Sequence, residues 1–199
     1  MCTWTLAQRC ALTHPHHMPH PPRPTAAGLY HVAVRATTPD PLFRDSHDRI
    51  TFVTQLGRTT ALTTWCCLAA CLMTTHYHLL VDVEEGVLPV AMKRLNWHTA
   101  RSFNKRHGRR GHWVGGKYLS VPIMDESQLL TSFRYIVRNP VEAGLCERPE
   151  EWPWSSYGST LGLVAGFEFV DASAVLTSFG SPTDAALERL RGFVETPWR

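Results

Sequence analysis

The sequence predicts an α+β fold in which an antiparallel sheet carries helices on one face. Short apolar segments typical of strands alternate with longer segments whose apolar residues recur every three or four positions. Two of the strand segments are separated only by Thr74 and Thr75, which predicts a hairpin. With 44% apolar and 19% charged residues, the composition is that of an ordinary globular protein.

The predicted elements follow one another in the order β-α-β-β-α-β-α. They are a strand at 29–34, a helix at 45–60, strands at 65–73 and 76–83, a helix at 88–107, a strand within 113–124 and a helix at 126–138. Asp45 opens the first helix and Gly108 stops the second. This order is related to the ferredoxin-like split βαβ arrangement.

The last of these helices is expected to end at Asn139-Pro140. The residue before a proline avoids helical angles, and proline suits the first position of a new turn, which Gly144 would close. Asn139 is therefore a candidate helix N-cap as well as a polar side chain near the helix surface.

The chain divides into three parts. Residues 1–25 are rich in His and Pro and are predicted to be disordered, and Met18 could be the true initiator. Residues 26–158 hold the predicted sheet and helices. Residues 159–199 are interpreted as an extension packed on that domain, ending in a helix with Ser181 as its cap.

Charge and cysteine content indicate the environment. The net charge is only +3, but residues 101–117 contain six cations and no acidic residue. This basic segment is either a solvated helix end or a track for the phosphate backbone of a nucleic acid. The six cysteines show no regular spacing, which favours a reducing, cytoplasmic compartment. The longest apolar run, residues 65–73, is far shorter than the ~20 residues of a membrane-spanning helix.

His76 and His78 are the first candidate site. Alternate side chains of a strand share a face, so the two imidazoles project together while Tyr77 points to the other side. Such a pair can bind a metal ion, but it also suits surface histidines or hydrogen-bonded core histidines. By itself the pair would suit zinc as well as magnesium.

Tyr135 and Asn139 are the second candidate. Tyr135 lies roughly 160° around the helix from the centre of its apolar stripe, and Asn139 follows one turn later on the same face. A tyrosine there is either a partly exposed hydrogen-bonded residue or a nucleophile, and Asn139 offers an amide oxygen as a hard ligand. Tyr118 competes for the nucleophile's role, but we interpret it as a strand residue or a base-stacking platform.

The chain resembles a known family in a series of motifs between residues 26 and 158. They are Gly28-Leu-Tyr-His-Val, Phe43-Arg-Asp, His76-Tyr-His78, Phe103-Asn-Lys-Arg-His-Gly108, Tyr135-Ile-Val-Arg-Asn139-Pro-Val-Glu-Ala-Gly-Leu145 and Trp152-Pro-Trp-Ser-Ser-Tyr157. In order and spacing these motifs are similar to those of the HUH single-tyrosine transposases, in particular the REP-associated tyrosine transposases.

The resemblance implies a DNA endonuclease and strand transferase. By that match His76, His78 and Asn139 would hold Mg²⁺ or Mn²⁺, and Tyr135 would attack single-stranded or hairpin DNA to form a 5′-phosphotyrosine link. It also implies a monomer or homodimer in the bacterial cytoplasm, associated with the nucleoid. The expected DNA-binding residues are Arg101, Lys105, Arg106, Arg109, Arg110, Lys117 and Tyr118.

The chain also departs from the family pattern. Met73-Thr74-Thr75 stands where relatives have Met-Pro-Asn, and residues 114–118 read Val-Gly-Gly-Lys-Tyr where relatives commonly read Trp-Gln-Gly-Arg-Tyr. The four proposed chemical residues are unaffected. Two alternatives stay open: a catalytically silent protein that binds DNA hairpins on the same fold, and a small zinc-binding regulatory protein that uses His76, His78 and a cysteine.

Overall fold

The computed structural model describes residues 25–36, 41–114, 118–181 and 183–196. Its main elements are β1 Gly28–Arg35, α1 Ser46–Leu62, β2 Trp65–Leu72, β3 His76–Val83, α2 Val87–His107, β4 Leu119–Pro122 and α3 Glu126–Glu142. A 3-10 turn, Pro149–Glu151, and the helices α4 Tyr157–Thr160, α5 Ser173–Thr177 and α6 Asp184–Glu195 follow. Within the described ranges no helix is both long enough and apolar enough to cross a membrane. The predicted disordered segment 1–25, apart from Thr25, lies outside those ranges.

The four strands form one antiparallel sheet in the order β2-β3-β1-β4. β2 and β3 are the predicted hairpin, and β1 pairs with β3 so that Ala33 lies opposite His78. The predicted α+β fold with an antiparallel sheet is confirmed. The central position of β3 places its side chains between two layers of helix.

Helices cover both faces of the sheet, which corrects the prediction that they lie on one face. Tyr77 of β3 joins a first core with Phe52 of α1 and Met92 of α2. Leu80 points to the other side and joins a second core with Phe133 of α3. The apolar run in the middle of β3 does not alternate with polar residues, so both of its faces require cover.

α3 continues through Pro140, which corrects the predicted break at Asn139. The helix reaches Glu142, and the Ala143 N–H still donates to the Asn139 carbonyl at 3.0 Å. Proline lacks a backbone donor and its ring crowds the carbonyl four residues earlier, but Pro140 is buried and the turn after it is still hydrogen-bonded, so the helix persists. Asn139 is thus a residue within a helix rather than an N-cap, one turn after Tyr135.

The segment after α3 covers the outer edge of β2. Ser155 forms an antiparallel bridge with Cys71. Three buried residues of α5 and α6 join the second core, namely Val175, Leu190 and Val194. α6 begins after Thr183 rather than after the predicted cap Ser181, and Pro182 lies outside the described residues. Part of an edge that would otherwise offer unpaired backbone groups is therefore covered.

Candidate active site

The two histidines of β3 project toward α3. His76 and His78 lie on the sheet face opposite Tyr77, with their ring centroids 5.1 Å apart. Tyr77 is fully buried in the first core, where its ring centroid lies 4.5 Å from that of Phe52 and its hydroxyl donates to Asn96 Oδ1 at 2.6 Å. The bulky residue between the histidines therefore anchors β3 and directs the two imidazoles.

α3 brings Tyr135 and Asn139 to the same histidines. Asn139 Oδ1 lies 3.3 Å from Nε2 of His76, and the Tyr135 ring packs edge-on against His78 with centroids 5.5 Å apart. Tyr135 is 37% exposed, whereas His78 is 2% exposed. The four residues selected from the sequence thus come together, with the tyrosine on the solvent side.

His31 of β1 is a fifth member of the site, which the sequence reasoning did not select. Its Nε2 lies 2.9 Å from Nδ1 of His78, and its ring centroid lies 5.7 Å from that of Tyr135. Strand alternation places His31 on the face opposite the buried Tyr30 and Val32, which was a usable signal. The register between β1 and β3 was also needed, and the local sequence does not specify it.

Burial keeps the imidazoles of the site neutral. Desolvation lowers the pKa of His31 to about 4. Desolvation also lowers the pKa of His78 well below its usual value, and the neighbouring His31, His76 and Arg35 act in the same direction. The pKa of His76 is lowered mainly by desolvation, against the opposing effect of its hydrogen bond with Asn139. At neutral pH each ring therefore keeps a lone pair for a hydrogen bond or a metal.

The donor atoms fit a divalent metal with mixed nitrogen and oxygen ligands. Neighbouring donors of an octahedral ion with bonds of about 2.1 Å lie about 3 Å apart. His76 Nε2 and Asn139 Oδ1, at 3.3 Å, are close to that spacing. Since His31 engages Nδ1 of His78, the remaining ring nitrogen of His78 is its Nε2. An octahedral ion held by these three donors would have three further coordination positions.

A zinc site that includes a cysteine finds no support in the described part of the chain. No group of three or more His, Cys, Asp or Glu side chains there is arranged to hold a metal ion. Cys71 is enclosed in the second core, where burial raises the pKa of its thiol. A neutral thiol in an apolar core is a poor metal ligand.

Part of the basic segment lies away from the histidines. Arg101 and Lys105 are exposed on α2, which packs on the sheet face opposite α3. Arg106 is engaged within the fold, bonded to Asp45 at 2.6 Å and to Asp48 at 2.7 Å. These ion pairs join the end of α2 to the start of α1, so Arg106 has a structural role.

The other predicted DNA-binding residues follow α2. Arg110 is exposed, and the guanidinium of Arg109 lies 5.9 Å from the Phe103 ring centroid. Tyr118 packs against the first core, on the sheet face away from His76. Lys117 lies outside the described residues.

The protein is similar in fold to a solved transposase. Its backbone matches the structure of a REP-associated tyrosine transposase bound to a REP hairpin with a TM-score of 0.61. The two sequences are 12% identical, and the match covers 78% of this chain and 98% of that chain. At this identity the likeness is one of fold. No protein-family profile matches the sequence, and no curated protein does.

Proposed function

We propose that this protein is a metal-dependent DNA endonuclease and strand transferase that cleaves single-stranded or hairpin DNA through Tyr135. The observation that carries the proposal is the convergence of a partly exposed tyrosine, two neutral imidazoles and an amide oxygen at one place. A transposase that binds a DNA hairpin shares the fold, which supports the same class of partner.

His76, His78 and Asn139 would hold Mg²⁺ or Mn²⁺. When bound, the metal polarises the scissile phosphate and offsets the negative charge that develops during attack. A neutral phenol is a poor nucleophile, so Tyr135 requires such help. The edge-on packing of its ring against His78 restrains the direction of the phenol group.

The reaction is a transesterification. The Tyr135 oxygen bonds to the phosphorus of a phosphodiester and gives up its proton to solvent, while the bond from phosphorus to the 3′ oxygen breaks. That oxygen takes up a proton and leaves as a 3′-OH, and the 5′ phosphate stays on the tyrosine. Because one phosphodiester replaces another, an incoming 3′-OH can reverse the step and join two strands without a nucleotide cofactor.

Exposed cations on and after α2 would contact DNA away from the cleavage site, because α2 packs on the sheet face opposite α3 and Tyr135. We assign this role to Arg101, Lys105 and Arg110, and Arg101 lies 5.5 Å above the ring of Trp97, which is 53% exposed. A cation beside an exposed aromatic ring suits a phosphate next to a stacked base. Arg106 is not included, because its guanidinium is bonded to carboxylates of the fold.

The deciding experiment looks for a covalent protein–DNA adduct. Labelled single-stranded hairpins are incubated with the full-length protein and Mn²⁺, and the mixture is denatured before electrophoresis. We expect an adduct with the wild type and with Tyr118→Phe, and none with Tyr135→Phe or with a chelator present. An adduct with Tyr135→Phe would show that another residue is the nucleophile. Tight hairpin binding by the wild type without any adduct would favour the catalytically silent binding protein.

A further inference from the structure

His31 and His78 are joined ring to ring within the site. His31 Nε2 lies 2.9 Å from Nδ1 of His78, so one of these nitrogens must carry the proton and the other must accept it. His78 is 2% exposed, which leaves little room for water as a substitute partner. The proton in this contact therefore determines which nitrogen of His78 has a free lone pair.

Two proton arrangements satisfy the contact, and only one leaves His78 as a ligand. If His31 donated to Nδ1 of His78, Nε2 of His78 would carry a proton and could not bind a metal. If His78 donates its Nδ1–H to His31, the Nε2 lone pair is free. Histidines that bind metals generally donate their other N–H to an acceptor, which fixes both the tautomer and the ring orientation.

We infer that His31 is a positioning residue that holds His78 in the Nδ1–H tautomer with Nε2 free for the divalent metal. The inference rests on the proposed metal site, because that site assigns the ligand role to His78. His31 itself does not coordinate the metal through Nε2, since that atom accepts from His78. The same ring packs edge-on against Tyr135, so one side chain restrains both a ligand and the nucleophile.

Two substitutions of His31 distinguish its role as a hydrogen-bond acceptor from its role as a planar ring that packs in the site. Glutamine places an amide oxygen near the position of Nε2 and continues to accept, whereas phenylalanine keeps a planar ring without an acceptor. In metal-free, full-length protein at neutral pH, imidazole nitrogen NMR should show Nδ1–H on His78 in the wild type and in His31→Gln. The Nδ1–H signal of His78 should be lost in His31→Phe. The resonance is assigned to His78 by its absence from the spectrum of His78→Gln. A wild-type His78 protonated on Nε2 would overturn the inference.

Mn²⁺ affinity, measured by electron paramagnetic resonance of the free ion, is the second readout. Loss of such a supporting partner typically weakens metal binding by about 10- to 100-fold, which we expect for His31→Phe, with His31→Gln within about threefold of the wild type. Equal weakening by both variants would make His31 a ligand itself and overturn the positioning role. Unchanged affinity in both would also overturn it. If His31→Phe does not fold, His31→Met replaces it.

The test distinguishes this inference from the proposed strand transfer. A wild type that forms no DNA adduct, but whose His78 tautomer and Mn²⁺ affinity respond to His31 as described, refutes the enzyme and supports the positioning role. A wild type that forms the adduct through Tyr135, with Mn²⁺ affinity insensitive to His31, supports the enzyme and refutes the positioning role.

Discussion

Two buried tyrosines give opposite predictions for the same substitution. Tyr77 and Tyr157 are both fully buried. Tyr77 donates to Asn96 Oδ1 at 2.6 Å, whereas the Tyr157 hydroxyl has no hydrogen-bond partner among the described residues. A change from tyrosine to phenylalanine removes only the hydroxyl, so the two variants compare a satisfied polar group with an unsatisfied one.

The magnitudes follow from that difference. Tyr77→Phe leaves Asn96 without its donor and should lower the free energy of unfolding by about 1–3 kcal/mol. For a chain of this length the loss corresponds to a decrease in Tm of roughly 2–12 °C. Tyr157→Phe removes a hydroxyl whose burial is uncompensated, so it should be neutral or stabilising by up to about 1 kcal/mol.

Urea unfolding followed by circular dichroism measures both variants against the wild type. If the slope of the free energy of unfolding against urea concentration is unchanged, the substitutions alter stability rather than the compactness of the folded or unfolded state. Below its Tm, Tyr77→Phe should still form the DNA adduct, because the ring that anchors β3 is retained. Equal losses in the two variants, or a larger loss for Tyr157→Phe, would refute the reasoning.

Two further predictions concern charge. In the unfolded chain His31 and His78 have pKa values of about 6.5, whereas in the folded chain the pKa of His31 is about 4 and that of His78 is well below its usual value. The unfolded chain therefore binds more protons, and the metal-free protein should lose stability as the pH falls from about 6.5 to about 4. For His31 the loss in the free energy of unfolding should reach about 3 kcal/mol. Urea unfolding at a series of pH values measures this loss, and a free energy of unfolding that does not change with pH would contradict the prediction. Arg101→Ala should weaken hairpin binding and lower the slope of log affinity against log salt by about 1, without changing the Tm. Arg106→Ala should instead lower the Tm, because Asp48 loses a bonded cation. Anisotropy titrations measure hairpin binding and melting curves measure the Tm of both variants. A lower Tm for Arg101→Ala together with weaker hairpin binding for Arg106→Ala would contradict the assignment.

The strands and the direction of the β3 histidines were predictable because they depend on local pattern. The predicted strand at 76–83 coincides with His76–Val83, and the pleat alone placed Tyr77 on the face opposite the imidazoles. The exposure of Tyr135 on α3 followed in the same way from helical periodicity. Each of these signals acts over a few residues, so a single sequence contains it.

Other features could not be predicted, because they depend on packing and on contacts between distant parts of the chain. Pro140 was expected to end α3, yet the helix continues because Pro140 is buried and the following turn is still hydrogen-bonded. The partnership of His31 with His78 depends on which residue of β1 lies beside which residue of β3. The pairing of Arg106 with Asp48 similarly joins residues far apart in the chain. Long-range register and packing are properties of the assembled fold.

β3 supplies both the histidines of the site and the buried tyrosine that fixes their orientation. His76 and His78 face α3, while Tyr77 between them is held in the opposite core by Phe52 and Asn96. A slip of one residue in the pairing of β3 would turn both imidazoles into the first core and push Tyr77 toward α3. Such a slip would break the Tyr77 hydrogen bond and bury two polar rings without their partners, which is costly. The aromatic residue between the histidines therefore selects the one register in which they can act together with α3.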